Sequence, residues 1–187
     1  MKSIFILHEG NNKNTNDNKL IRLLINHLNL DSNKIDFHGM GSKSNFFKTD
    51  KYKLFKQAVH TNQIEKILFI IDADNIENDA QYGGYENTQT ALNDVINQLG
   101  FQKVSRTYVV CDPVTQTGYL ESFILSTISE TQRKCIECFL ECSQFKSKEN
   151  HKAILNQIYN IAYPDAPYNF EHSYFESLKA ELKMLFT

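Results

Sequence analysis

Two dense apolar runs, Ile4-Phe5-Ile6-Leu7 and Leu68-Phe69-Ile70-Ile71, interrupt a chain of mixed polarity, and both stop at carboxylates: Glu9 after the first, Asp72 and Asp74 after the second. Unbroken apolar runs of this length are the pattern of strands covered on both faces of a sheet. Two weaker strands are predicted at 34–38 and 106–110, and the second is stopped by Pro113, which has no N–H to give a central strand. Between them, apolar residues recur at helical spacing. A helix over 18–30 gathers Leu20, Leu23, Leu24, Ile25, His27 and Leu28 on one broad face. A helix over 51–59 turns Leu54, Phe55 and Val59 inward, and one over Tyr85–Leu99 is closed by Gly100 as its C-cap. Another begins in Gly118-Tyr119-Leu120-Glu121, and further helices are predicted over 130–145, 150–162 and 170–186, the last two separated by Pro164 and Pro167. Strands alternate with helices to about residue 128 and helices alone follow. The expectation is an α/β fold with a mostly parallel sheet of about four strands over 1–128, and a helical C-terminal extension over 129–187 packed on it.

Charge narrows the classes of function. Lys and Arg total 20 against 22 Asp and Glu, for a formal net charge of -2. The chain lacks the basic excess of a protein that holds nucleic acid by charge alone, so any contact with a polyanion is local or metal-mediated. The N-terminal apolar run is too short for a signal peptide, and no run approaches the roughly 18 residues that span a bilayer. A soluble cytoplasmic protein is expected. The four cysteines do not suggest a secreted disulfide scaffold in a chain of 187 residues. Cys135, Cys138 and Cys142 follow helical spacing and read as buried or half-buried thiols of a helix face, with metal or redox use as the alternative.

The acidic strand ends carry the candidate chemistry. Side chains two apart on an extended segment point the same way, so Asp72 and Asp74 share a side, where each raises the other's pKa unless a cation lies near. A divalent metal is the natural partner, and ligands of open α/β sheets collect at the carboxyl ends of the strands. If the first and third strands are neighbours, Glu9 joins the two aspartates, and three hard oxygen donors could hold Mg²⁺ or Mn²⁺. Acidic strand ends also occur in response-regulator receivers and haloacid-dehalogenase-like phosphatases, but both use an aspartate as phosphate acceptor, and Glu9-Gly10 fits neither. Gly39-Met40-Gly41-Ser42-Lys43-Ser44-Asn45 suits either a loop whose N–H groups approach an anion or a plain turn. Asp112 reads as a turn-former before Pro113, with a ligand role as the alternative. Glu77 and Asp79 read as solvated, and His27 as a packed or surface residue. Tyr82, Tyr85 and Phe46 are candidates for base stacking or for the core.

Taken in order, an apolar strand, Glu9-Gly10, a helix, the Gly39/Gly41 loop, a second apolar strand and Asp72-Ala73-Asp74 resemble the Toprim domain of primases, topoisomerases and OLD-type nucleases. The chain is most similar to the small stand-alone Toprim-like proteins related to the OLD-type nucleases. Gly41-Ser42-Lys43-Ser44-Asn45 resembles that family's glycine-lysine-serine-asparagine segment, Gly118-Tyr119-Leu120-Glu121 its glycine-x-leucine-glutamate helix start, and His151-Lys152-Ala153 its lysine-containing helix. The resemblance implies a Toprim-like, Rossmann-type fold and a Mg²⁺- or Mn²⁺-dependent phosphodiester hydrolase acting on nucleic acid. It implies Glu9 as general base or ligand, Asp72 and Asp74 as ligands, Glu121 as ligand of a second metal, and Lys152 facing the scissile phosphate. Gly41, Lys43 and Ser44 would meet substrate phosphate. Two features depart from the family. Asp17 stands eight residues after Glu9, behind an Asn-rich insertion, where the family often has an aspartate close to Glu-Gly. No Walker-type loop is present, so an ATPase of the kind OLD-type nucleases carry would be a separate chain. The competing readings are a non-catalytic Toprim-like module binding metal or partner, and a nucleotidyl or phosphoryl transferase acting on a small substrate.

Overall fold

The computed structural model describes residues 3–11, 15–143, 154–155, 157–158 and 168–187. Four strands, β1 (Ser3–His8), β2 (Ile35–Gly39), β3 (Ile64–Asp72) and β4 (Ser105–Val110), form one sheet in the order β2-β1-β3-β4. Every pairing is parallel. The expected α/β architecture is therefore present, with a wholly parallel sheet in which β3 is an inner strand.

Alternation along β3 decides what covers each face. Leu68 and Ile70 join Ile4 and Ile6 on one side, under α1 (Asn16–His27), α5 (Leu120–Ser126) and the C-terminal helix, which we number α7 (Glu176–Met184). Ile67, Phe69 and Ile71 join Leu7 on the other, under α2 (Lys43–Phe46), α3 (Lys53–His60) and α4 (Tyr85–Leu99). Burying each such side chain is worth about 1.5–3 kcal/mol, which explains why so apolar a strand sits in the middle. The C-terminal extension is integral to this packing. Phe175, Leu178, Leu182 and Leu185 share the core of β1 and β3, and Glu181 pairs with Arg106 of β4.

Several local expectations need correction. A 3-10 turn at Thr49–Tyr52 precedes α3, and the helix turns Phe55 inward, so Leu54, about 100° round the helix from it and expected inward, is 80% exposed. α1 ends at His27, and two residues on Asn29 takes a left-handed conformation (φ 52°) that stops the helix short of residue 30. His27 then reaches Glu171 at 3.2 Å and lies against Phe170, fastening α1 to the C-terminal segment. α6 (Glu130–Ser143) turns Ile136 and half-buried Leu140 inward, so Cys135, Cys138 and Cys142, expected buried or half-buried, are exposed, and only Cys111 is buried. The helix expected over 150–162 falls mostly outside the described residues. Among the described residues no helix is long and apolar enough to cross a membrane.

Candidate functional site

The parallel register of β1 and β3, with Leu7 opposite Phe69, brings Glu9 and Asp72 together at the carboxyl end of the sheet. β1 ends at His8, and the Glu9 side chain takes the next place in the ladder: its Oε1 accepts the Asp72 backbone N–H at 2.9 Å. The Asp72 Oδ1 in turn accepts the N–H of Leu120, the first residue of α5, at 3.1 Å. An acid at a helix N-terminus is favoured by the dipole, and this one fixes α5 on the sheet end. Glu121 follows in the first turn of α5, buried.

Asp74 reaches the same end by a different device. Its backbone is left-handed (φ 58°) and forms a one-residue antiparallel bridge to Gly118, with Asp74 N donating to Gly118 O at 2.6 Å and Gly118 N donating to Asp74 O at 3.0 Å. Gly118 has φ +93°, and a Cβ there would lie 2.6 Å from Ser122 Oγ, so the position demands glycine. The Gly118-x-Leu120-Glu121 segment is thus tied to the Asp72-x-Asp74 segment by both backbone and side chain.

A cleft of about 290 Å³ opens at this end, lined by Glu9, Asp17, Gly41, Ser42, Asp72 and Glu121 together with Gly10, Thr15 and Asn16. Asp74 is not among the lining residues. Its Oδ2 lies 3.7 Å from the Nζ of Lys43, whose side chain is buried and donates to the Ala73 carbonyl at 2.6 Å. Of the three residues expected to meet a phosphate, only Gly41 lines the cleft. Lys43 is directed inward, and the Ser44 hydroxyl lies 3.2 Å from that of Ser42 on the exposed surface. Lys152 lies outside the described residues.

Burial dominates the electrostatics here, and the neighbouring acids modify it. Burial raises the Glu9 carboxyl to about 7, and the charge of Asp74 adds to it; the Asp72 N–H and Lys43 pull it back, while Asp17 raises it further. Burial lowers the pKa of Lys43, opposed by Asp74, Glu9, Asp79 and Asp72. His8, fully buried next to Glu9 in the chain, is lowered to about 4 by burial, then by His38 and Arg22, and among the described residues its Nδ1 has no hydrogen-bond partner. It remains neutral at physiological pH.

Donor chemistry suits a hard cation: among the described residues the cleft lining offers carboxylates and hydroxyls, with neither thiol nor imidazole. The charges of Asp74 and Asp17, which add to the effect of burial on Glu9, point the same way, since a divalent ion relieves such repulsion. As the side chains stand, no three His, Cys, Asp or Glu groups among the described residues are close enough to hold a metal ion. Any such ion would therefore draw its carboxylates from their internal partners.

Asp17 belongs to the cleft although the sequence left its role open. Thr15 Oγ1 caps α1 by accepting the Asn18 N–H at 3.4 Å, which places Asp17 in the first turn; a threonine followed by an aspartate two residues on was the available signal. Other candidates resolve to structural parts. Asp112 Oδ1 accepts the Val114 N–H at 2.8 Å, as a turn-former does. Asp79 Oδ1 accepts the N–H groups of Gln81 and Tyr82 within its loop. Phe46 is in the core, while Tyr82 stacks on Phe47 at 4.2 Å. No family model, no curated protein and no solved structure matches this chain.

Proposed function

We propose that this chain is a divalent-cation-dependent phosphodiester hydrolase acting on nucleic acid, with its reaction centre at the carboxyl ends of β1 and β3. The observation that carries the reading is the placement of Glu9. Its carboxyl sits 2.9 Å from the Asp72 amide in a cleft shared with Asp17, Asp72 and Glu121, and before any cation binds, burial raises it to about 7. Asp72 and Glu121, which line the cleft, would supply further hard oxygen donors for Mg²⁺ or Mn²⁺, and Asp74 would join them only on leaving Lys43. A bound divalent ion supplies Lewis acidity toward a phosphate oxygen and sharpens a water as nucleophile. On this reading Glu9 would take a proton from the attacking water, Asp72 would keep α5 and Glu121 on the sheet end, and Gly41 and Ser42 would border the entering phosphate. Lys152 would face the scissile group, and an ATPase, if one is required, would be a separate chain.

The test is nicking of a supercoiled plasmid and cleavage of labelled single strands with Mg²⁺, with Mn²⁺ and with EDTA. The wild type is expected to cut only with metal and Asp72→Asn to be inert, since asparagine keeps an acceptor for the Leu120 N–H while losing the charge. Cutting of equal rate by the variant would remove the reading.

One observation favours a non-catalytic metal- or partner-binding module. The Lys43 ammonium already stands 3.7 Å from Asp74, so part of the acidic charge is neutralised from within. That alternative predicts binding of Mn²⁺ with no turnover of any phosphodiester.

A further inference from the structure

α3 buries Phe55 and presents Lys53, Lys56, Gln57 and His60 along one face, at spacing i, i+3, i+4 and i+7. This face forms one wall of a cleft of about 550 Å³, and the end of α4, with Leu99 and Gly100, forms another. Among the described residues no acidic one lines it. Among the described residues none of Lys53, Lys56 and His60 has a carboxylate within ion-pair distance. In a chain of net charge -2 this is a concentrated local excess of positive charge. Like charges one helical turn apart repel, and apolar neighbours such as Leu99 and Val59 reduce the screening. A cleft so lined is suited to an anion.

The cleft lies toward the amino ends of the strands, because α3 leads into β3 and α4 leads through Phe101 into β4. The acidic cleft is at the opposite end of β3, a nine-residue strand that spans about 26 Å in extended conformation. The two sites are therefore separate, and an anion site between α3 and α4 stands independently of the reaction assigned to the acids.

We propose that the α3–α4 cleft binds a ligand carrying two or more neighbouring phosphates, held by Lys53 and Lys56, with Gln57 and His60 as further donors. Its volume falls within the roughly 300–1,000 Å³ of small-molecule sites. The same chemistry occurs in the polyphosphate chain of a nucleotide and in the backbone of a nucleic-acid strand.

Titration calorimetry on the full chain in EDTA separates these sources, using inorganic triphosphate, ATP and a short single-stranded oligonucleotide. The variant Lys53→Gln/Lys56→Gln alters exposed positions, and circular dichroism checks that its fold is unchanged. Binding of triphosphate and ATP that weakens about tenfold per lysine removed, the usual scale for a charged hydrogen bond, supports a nucleotide site. Binding of the oligonucleotide alone, with the slope of log K against log salt reduced by about 1.4 in the variant, supports a strand-binding site. Failure of all three probes to bind below millimolar concentration, or binding that ignores the double substitution, overturns the proposal.

Discussion

Replacing Glu9 by glutamine should stabilise the fold at alkaline pH and leave it unchanged in acid. The Glu9 carboxyl titrates near 7 in the folded chain against an ordinary value of 4.5. Between those two values the folded state holds a proton that the unfolded chain has released, so the stability contributed by this group declines as pH rises through the interval. The full difference is about 3 kcal/mol, reached above pH 7, where the ionised carboxyl faces the loss of water and the charge of Asp74. Glutamine mimics the protonated acid and keeps an oxygen to accept the Asp72 N–H. Urea unfolding in EDTA at intervals from pH 4 to 9 measures the gap: the two curves should coincide at pH 4 and separate by up to about 3 kcal/mol at pH 8. Millimolar Mg²⁺ at pH 8 should raise the wild-type midpoint more than that of the variant, since an ion that binds only the folded chain stabilises it by mass action. Parallel curves across the whole range, or a variant weaker than wild type at pH 8, would refute the account of the acidic cluster.

Lys43→Met keeps the bulk of the side chain but leaves Asp74 without its cation, and should destabilise the chain by about 3 kcal/mol in urea unfolding. Adding Asp74→Asn should return part of the loss, and strictly additive effects would show that the pair does not interact. Gly118→Ala forces a side chain into a left-handed position against Ser122, so a loss of at least about 1–3 kcal/mol is expected by thermal unfolding. Adding Ser122→Ala should relieve part of the contact but not the backbone strain. Ellman's reagent at pH 8 should titrate three thiols quickly in the folded chain, Cys135, Cys138 and Cys142, and the fourth only on unfolding, because Cys111 is buried and its thiol is raised to about 11. Four equally reactive thiols would contradict the packing around Cys111 at the end of β4.

The sheet was legible because its signals are local. The apolar run of β3 and the alternation of strand and helix need nothing beyond neighbouring residues, and α4 was bounded correctly because Gly100 in its left-handed cap states where it ends. Where a tertiary contact sets the phase, periodicity misleads. Leu54 has the right spacing for an inward residue, yet Phe55 takes the contact with the sheet and leaves Leu54 facing solvent. The thiols of α6 likewise match an apolar face, but Ile136 takes the contact with the body of the molecule. At the site, Glu9 and Asp72 could be paired from the sequence once their strands were assumed adjacent. The burial of Lys43 could not, since it depends on the Ala73 carbonyl thirty residues away. The Asp74–Gly118 bridge was equally hidden, because nothing in either segment announces the other.

Glu9 occupies a position that in a longer strand would belong to the backbone, which makes the Asp72 amide a reporter of what happens in the cleft. If a cation is taken by Oε2 while Oε1 stays on the amide, that amide remains protected from deuterium. If the carboxyl swings away to meet the ion, the amide loses its acceptor and exchanges faster, while its neighbours in β3 do not. Hydrogen exchange at one backbone position thus distinguishes a preassembled ion site from one that the ion must assemble.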